Sequence, residues 1–242
     1  MVFPFHLGLS ALAWHSPVRG QSNPQREMHT WIKICGTTCV EDAFSAIEAG
    51  ADALGFIFAP SRRHVAPRLA QEIIRQLPRG VERVGVFLNA GPQQIRDVVN
   101  QVDLTGIQMH GEGDFPPEVY SYLPKDRRDS MRKIKTVIVQ DAYEVRMDAY
   151  AAVEGVVDTW LLDSGAGSGQ TFDWGSARVK LGERQGKFVI AGGLTPENVV
   201  EAINFFKPWG VDVVTGVERE PGRKDPEKLK AFVQAVRRME QQ

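Results

Sequence analysis

Two glycine-rich turns in the last quarter of the chain have the composition of an anion-binding site. Gly192 and Gly193 lie in the first turn, and Thr215 and Gly216 lie in the second. Glycine has no side chain, so its backbone N–H group can approach an anion closely, and a helix beginning near Pro196 would add its positive end. Either turn alone is typical of a plain tight turn, but the two together predict a phosphate site.

Other polar residues follow short apolar segments along the chain. The side chains of these polar residues can transfer protons or form hydrogen bonds with a substrate. The residues are Cys35, Arg62, Arg63, Asn89, His110 and Asp163. If the apolar segments are parallel strands of one barrel, their carboxyl ends meet at one face, where the active sites of such barrels lie. The sequence therefore predicts a single site at that face, with the two glycine-rich turns beside it.

The apolar segments alternate with amphipathic ones across residues 28–242. The predicted strands are Trp31–Cys35, Ala53–Phe58, Arg83–Leu88, Gly106–His110, Lys133–Val139, Thr159–Asp163, Phe188–Ala191 and Val211–Thr215. The predicted helices are Val40–Ala49, Arg68–Leu77, Pro92–Asn100, Pro116–Leu123, Ala142–Ala151, Pro196–Phe206 and Pro226–Met239, with a weaker pattern over Trp174–Leu181. This alternation requires parallel crossovers and predicts an α/β fold, a single (β/α)8 TIM barrel.

A doubly wound open sheet is the alternative fold. Such a sheet usually carries a nucleotide-binding Gly-x-Gly-x-x-Gly turn after its first strand. The corresponding turn in this chain is Cys35-Gly36-Thr37-Thr38, which lacks that pattern. The barrel is therefore the favoured prediction.

Composition excludes several classes of protein. The 242 residues include 29 basic and 30 acidic side chains, so the chain lacks the strong positive field that binds nucleic acid. The two cysteines, Cys35 and Cys39, fit a reducing compartment, and no Cys-x-x-Cys pair or Cys/His cluster has zinc-site spacing. We therefore expect a cytoplasmic protein with no metal ion and no nucleic-acid partner.

Residues 1–27 differ from the rest of the chain. Their apolar stretch is short, is interrupted by proline and histidine, and is followed by a polar run. A signal peptide is an alternative because residues 11–13 resemble a cleavage site, but no lysine or arginine precedes the apolar stretch. We expect a disordered N-terminal extension over 1–27, a barrel over 28–242, and no membrane-spanning segment.

Short motifs recur in order between residues 31 and 239. They are Lys33-Ile34-Cys35-Gly36, GADALGFIF at 50–58, VGVF at 84–87, QMHG at 108–111, LLDS at 161–164, GSG at 167–169, FDW at 172–174, AGGL at 191–194, PENV at 196–199, VDV at 211–213, GVE at 216–218 and PGRKD at 221–225. Their order and spacing resemble the phosphoribosylanthranilate isomerase family of tryptophan biosynthesis.

The resemblance implies a barrel enzyme with one small phosphoribosyl substrate. Such an enzyme converts N-(5-phosphoribosyl)anthranilate into 1-(2-carboxyphenylamino)-1-deoxyribulose 5-phosphate by an Amadori rearrangement. It uses no metal ion and no organic cofactor, and we expect it to act as a monomer or a homodimer.

The resemblance also implies the catalytic pair. Asp163 would protonate the ring oxygen of the sugar and open the ring to a Schiff base. Cys35, as a thiolate, would then remove the C2 proton to give an enolamine, which tautomerises to the ketone. A thiol needs electropositive surroundings to supply a thiolate near neutrality, whereas a carboxyl group stays protonated only where burial raises its pKa.

Three further residues match binding positions of the family. Arg63 corresponds to the arginine that meets the anthranilate carboxylate, but its loop is about one residue shorter than is common, which leaves Arg62 as an alternative. His110 corresponds to the histidine beside the aromatic ring. Asp212 corresponds to the aspartate of the eighth strand, which reaches a sugar hydroxyl; a structural ion-pair role is its alternative.

One departure from the family lies in the second glycine-rich turn. The family commonly has two serines before Gly216, where this chain has Val214 and Thr215, so only one hydroxyl remains for the phosphate. The departure admits a non-catalytic phosphoribosyl-binding barrel as an alternative, although Cys35 and Asp163 argue against it. Two other barrel enzymes fit less well: a ribulose-phosphate epimerase needs several metal ligands, and an indole-glycerol-phosphate synthase needs a Lys and Glu pair at the mouth.

Overall fold

Eight parallel strands form a closed barrel in the computed structural model, which describes residues 29–111, 118, 123, 125–139, 157–164 and 187–241. In chain order they are β1 (Trp31–Cys35), β2 (Ala53–Ile57), β3 (Glu82–Leu88), β4 (Gly106–His110), β5 (Arg132–Ile138), β6 (Thr159–Asp163), β7 (Lys187–Ile190) and β8 (Gly210–Val213). Neighbouring strands in sequence are neighbours in the barrel, and β8 returns to β1. The predicted (β/α)8 fold is confirmed.

Helices and short segments connect the strands. The described helices are α1 (Val40–Ala49), α2 (Pro67–Ile74), α3 (Pro92–Gln101), α4 (Lys125–Ser130), α5 (Val199–Phe206) and α6 (Pro226–Met239). After β8, a 3-10 turn (Thr215–Val217) leads into two short antiparallel strands, β9 (Glu218–Glu220) and β10 (Arg223–Lys224). Asp225 then starts α6 by accepting hydrogen bonds from the N–H groups of Glu227 and Lys228, at 3.0 and 3.2 Å.

Side chains of each strand alternate between two hydrophobic layers. The barrel interior contains Trp31, Ala53, Val84, Ile134, Leu161 and Val189, whereas the layer beneath the helices contains, among others, Ile32, Leu54, Phe87, Ile107 and Leu162. Because strands buried on both faces have apolar residues throughout, they appear in the sequence as continuous apolar runs. The same alternation directs Lys33, Cys35 and Asp212 into the barrel.

The barrel closes between β1 and β8, where Trp31 pairs with Gly210 and Lys33 pairs with Asp212. The predicted extension 1–27 lies outside the described residues. The predicted helices 142–151 and 174–181 also lie outside them, as does most of 116–123. Among the helices in the described residues, none has both the length and the apolar character of a membrane span.

One predicted helix begins later than its sequence pattern indicates. The pattern favoured Pro196, but residues 196–198 form a turn and α5 begins at Val199. The reason is local, because the side chain of Asn198 accepts a hydrogen bond from the Thr195 N–H at 2.8 Å and donates one to the Gly193 carbonyl at 2.9 Å. Asn198 thereby fixes the first glycine-rich turn.

Candidate active site at the barrel mouth

Cys35 is the last residue of β1 and points into the mouth of the barrel. It is 4% exposed, and a Cβ atom at the neighbouring Gly55 would lie only 2.6 Å from its Sγ atom. The glycine therefore makes room for the thiol. Burial raises the pKa of the Cys35 thiol, while the positive charges of Lys33 and Lys224 oppose that rise.

Asp163 ends β6 at the same face of the barrel. Its register partner on β5 is Ile138, and its backbone carbonyl accepts a 2.8 Å hydrogen bond from the Val139 N–H. The residue is half-buried and is the last of its strand, which places it at the mouth of the barrel. Parallel strands bring the ends of β1 and β6 to one face, as predicted from the sequence.

A buried ion pair lies directly beneath the mouth. The Lys33 ammonium donates a 2.8 Å hydrogen bond to the Asp212 carboxylate, and their side chains are 0% and 5% exposed. Asp212 lies inside the barrel, as the alternation along β8 predicted. One oxygen of the Asp212 carboxylate contacts Lys33. No role for Lys33 was predicted from the sequence.

Arg63 is held in place by a second group of charges. Its Nε and Nη2 atoms donate to the two carboxylate oxygens of Glu218 at 2.8 and 2.7 Å, and its stem lies against Gly36. Lys224, 1% exposed, approaches Glu218 at 3.2 Å and donates to the Cys35 carbonyl at 2.5 Å. Arg63 is thus fixed beside the end of β1, whereas Arg62 is exposed.

His110 ends β4 and belongs to a polar group on the barrel wall. Its Nε2 atom lies 2.7 Å from the Gln108 side-chain nitrogen, which also donates to the Thr136 hydroxyl at 3.2 Å. Burial, together with the charges of Lys33 and Lys135, lowers the pKa of His110 from 6.5 to about 4. The ring is therefore neutral at neutral pH, which suits contact with an uncharged aromatic group.

The two glycine-rich turns meet beside the mouth. Gly192 and Gly193 have φ angles of 83° and 65°, in the left-handed region that favours glycine. A Cβ atom at Gly216 would lie 1.9 Å from the Leu194 carbonyl oxygen, and one at Gly192 would lie 2.3 Å from the Ser164 hydroxyl. The glycine backbone of each turn therefore packs closely on its neighbours: Gly216 lies against the Leu194 carbonyl of the first turn, and Gly192 lies against Ser164 after β6.

Three residues of the site had no role in the sequence analysis: Lys33, Glu218 and Lys224. Each belongs to a quoted motif, and a lysine within the apolar strand β1 was the signal that a buried partner must exist. Within the described ranges, no group of three or more His, Cys, Asp or Glu side chains could hold a metal ion.

The chain is similar to known proteins over most of its length. Residues 32–235 match the family model described as N-(5'phosphoribosyl)anthranilate (PRA) isomerase. The N-(5'-phosphoribosyl)anthranilate isomerase of Geotalea daltonii is 41% identical over 210 residues, which are 86% of this chain and 97% of the relative.

Solved structures with this fold include close relatives. Phosphoribosyl anthranilate isomerase from Thermus thermophilus has a TM-score of 0.74 and 33% identity, covering 87% of this chain and all of its own. A second structure is a phosphoribosyl anthranilate isomerase in complex with reduced 1-(o-carboxyphenylamino)-1-deoxyribulose 5-phosphate. It has a TM-score of 0.70 and 38% identity, and the match covers 86% of this chain and 99% of the relative. A third, from Thermotoga maritima, is described as monomers made from a dimeric enzyme, with the same TM-score, identity and coverage.

Proposed function

This chain belongs to the phosphoribosylanthranilate isomerase family, and from this premise we propose how the barrel mouth performs the reaction. The enzyme converts N-(5-phosphoribosyl)anthranilate into 1-(2-carboxyphenylamino)-1-deoxyribulose 5-phosphate, an aldose-to-ketose isomerisation in tryptophan biosynthesis. The reaction opens a sugar ring and moves a proton from C2, so it requires one acid and one base. The mouth contains a carboxyl group and a thiol at separate strand ends.

Asp163 is the general acid in this proposal. Its proton goes to the ring oxygen as the C1–O bond breaks, and the nitrogen lone pair forms the C1=N bond of a Schiff base. The position of Asp163 as the last residue of β6 supports this role, because the acid must reach a substrate in the mouth.

Cys35 is the general base. Its thiolate takes the C2 proton, the C–H electron pair forms a C1=C2 bond, and the nitrogen recovers its lone pair to give the enolamine. Protonation at C1 and loss of the hydroxyl proton at C2 then give the ketone. The inward direction of Cys35, and the lysines on either side of it, support this role.

The anthranilate end of the substrate lies at Arg63 and His110 in this proposal. Arg63 is preferred to Arg62 because Glu218 fixes its guanidinium while Arg62 is exposed. With Nε bound to Glu218, the Nη1 edge remains to meet the carboxylate of the substrate. Neutral His110 lies on the wall beside the aromatic ring.

The phosphate lies at the two glycine-rich turns. Gly192, Gly193 and Gly216 have no side chain of their own to keep an anion from their backbone N–H groups, and Thr215, next to Gly216 in the chain, supplies a hydroxyl. Asp212, inside the barrel, faces the sugar between the phosphate and the anthranilate. These positions follow the order of phosphate, sugar and carboxylate along the substrate.

The compartment and the assembly are also proposals. Catalysis needs a reduced Cys35, and both cysteines are free thiols, which fits the cytoplasm. The enzyme acts as a monomer or a homodimer, since every group in the proposed site comes from one chain.

The joint placement of Cys35 and Asp163 at the barrel mouth carries the proposed function. It is tested by expressing the chain in a tryptophan auxotroph that lacks the isomerase. We expect growth without tryptophan for the chain and none for its Cys35→Ala variant at equal protein level. Absence of growth with well-expressed, folded wild-type protein would contradict the proposal and favour a non-catalytic barrel.

A further inference from the structure

Lys33 places a positive charge inside the barrel next to the catalytic thiol. Its side chain is fully buried between Trp31 and Cys35, which point in the same direction along β1. An unpaired ammonium ion in such a place is strongly destabilising, so proteins rarely keep one without a partner. A leucine or methionine would fill the same volume without that cost, which indicates that the charge itself is used.

Two groups share the Lys33 ammonium. Asp212 accepts its 2.8 Å hydrogen bond from the neighbouring strand, and Cys35 follows Lys33 by two residues on the same face of β1, where the ammonium acts on the thiol as a nearby positive charge. Burial alone would lower the pKa of Lys33, but Asp212 and Cys35 together raise it. Lys33 is therefore a cation at neutral pH.

Other charges face Cys35 from the surrounding elements. Lys224 approaches from β10 and Arg63 from the loop after β2, while the negative charge of Asp212 comes from β8. His110, on β4, is neutral at neutral pH. Lys33 is the cation that lowers the pKa of Cys35 most strongly, and the negative charge of Asp212 raises it.

We infer that Lys33 is a positioning residue for the isomerisation, whose ammonium stabilises the thiolate of Cys35 while Asp212 holds that ammonium in place. The inference rests on the proposed role of Cys35 as base. When the thiolate accepts the C2 proton, Lys33 remains an ammonium and transfers nothing. Asp212 consequently acts on the reaction through Lys33, in addition to any hydroxyl that it contacts.

The inference makes the two members of the ion pair act in opposite directions on the thiol. When the Asp212 charge is removed, the Lys33 ammonium has no competing carboxylate partner and acts on Cys35 alone, which favours the thiolate. Removing the Lys33 charge as well leaves the thiolate without its nearest cation. The variants Asp212→Asn and Lys33→Met/Asp212→Asn form a matched pair that differs only in Lys33. Neither leaves an unpaired buried carboxylate, and in Asp212→Asn the Cys35 thiolate is the charged partner that remains for the Lys33 ammonium.

The experiment titrates Cys35 directly by the ultraviolet absorbance of its thiolate. Every protein carries Cys39→Ser, because Cys39 is the only other cysteine and serine is a favoured residue at the start of α1. Adding Cys35→Ala provides the blank. We expect the thiol pKa to fall in Asp212→Asn and to rise above that value in the double variant. The double variant should lose kcat relative to Asp212→Asn, roughly tenfold for each unit of that rise, with KM unchanged.

Each outcome decides the inference. A thiol pKa in the double variant equal to or below that of Asp212→Asn would overturn it, even with Cys35→Ala inactive. An active Cys35→Ala protein would instead contradict the proposed base, whatever the titration shows. If the double variant does not fold, the shift between Asp212→Asn and its Cys39→Ser parent remains decisive, since an unchanged or raised thiol pKa contradicts the inference.

Discussion

The two ends of the barrel both contain paired charges, and in the part of the chain that the structure describes the proposed reactive groups lie at one of them. At the amino-terminal end, Arg132 forms a bidentate ion pair with Glu82 at 2.6 and 2.7 Å. Its guanidinium also lies 5.3 Å from the ring of Trp31 and 4.6 Å from that of Trp209. At the mouth, Lys33 pairs with Asp212, and both Arg63 and Lys224 pair with Glu218.

The difference lies in what stands next to the paired charges. Arg132 and Glu82 satisfy each other against aromatic rings that have no acid–base chemistry. Lys33 and Lys224 instead flank Cys35, whose ionisation depends on them. An ion pair with little exposure is therefore weak evidence for an active site by itself, and it becomes informative when a titratable third group lies next to it.

The largest expected contrast between the two ends is in kcat. Asp163→Ala should lower kcat by roughly 10²–10⁴-fold, the usual contribution of a positioned acid, with KM within a few fold. Arg132→Met should leave kcat near that of the wild type and instead lower the melting temperature, since it removes about 1–3 kcal/mol of charged hydrogen bonding. Steady-state kinetics and thermal unfolding of both variants test this. An equal loss of kcat in both would remove the distinction.

A smaller contrast is expected between neighbouring arginines. Arg63→Met should raise KM roughly tenfold to a hundredfold, because a bond between charged groups contributes about 1.5–3 kcal/mol. Arg62→Met is the matched control, since the Arg62 side chain is exposed and should change KM little. Glu218→Gln should fall between them, because it releases the guanidinium without removing it. A larger effect at Arg62 would transfer the carboxylate site to that residue.

The phosphate turns should respond more modestly. Gly216→Val places a side chain against the Leu194 carbonyl and must separate the two turns, so KM should rise about tenfold, the equivalent of one hydrogen bond to a charged group. Gly80→Val is the control, because nothing lies within 4 Å of a Cβ atom at Gly80. The KM for substrate and the inhibition constant for inorganic phosphate measure the effect. Unchanged phosphate inhibition in Gly216→Val would place the anion elsewhere.

The smallest effect concerns His110 and pH. Its pKa of about 4 lies below the ordinary 6.5, so as the pH falls the unfolded chain binds a proton at His110 at a higher pH than the folded chain does. The contribution of neutral His110 to the free energy of unfolding is therefore fully present above pH 6.5, and it is lost as the pH falls toward 4. NMR titration of the imidazole, assigned with His110→Gln, measures the pKa, and that variant should show a weaker loss of stability over the same range. An imidazole that titrates near pH 6.5 would contradict the buried, neutral ring.

The strands were predictable because their signal is local. Strands β1, β4 and β6 have the predicted bounds, since parallel strands buried on both faces are apolar runs ended by polar residues. Helix starts were less predictable, as the Asn198 turn before α5 shows. The roles of Cys35, Asp163, Arg63, His110, Asp212 and the phosphate turns stay predictions, although the structure brings all of them to one end of the barrel.

The charge network could not be predicted, because its partners are distant in sequence. Lys33 and Asp212 are 179 residues apart, and Arg63 and Glu218 are 155 apart. Their contacts depend on barrel closure between β1 and β8 and on the short strands β9 and β10. Neither β9 nor β10 was predicted from the sequence. Local patterns place residues on elements, whereas the pairing of charges requires the closed fold.

The single-turnover rate of Cys35→Ala tests the central claim most directly. With enzyme in excess over phosphoribosylanthranilate, product release does not limit the measured rate. Loss of the base should slow conversion by roughly 10²–10⁴-fold relative to the wild type, while the affinity for a reduced product analogue stays within a few fold. A Cys35→Ala protein that converts its bound substrate at the wild-type rate would contradict the assignment of the thiol as the base.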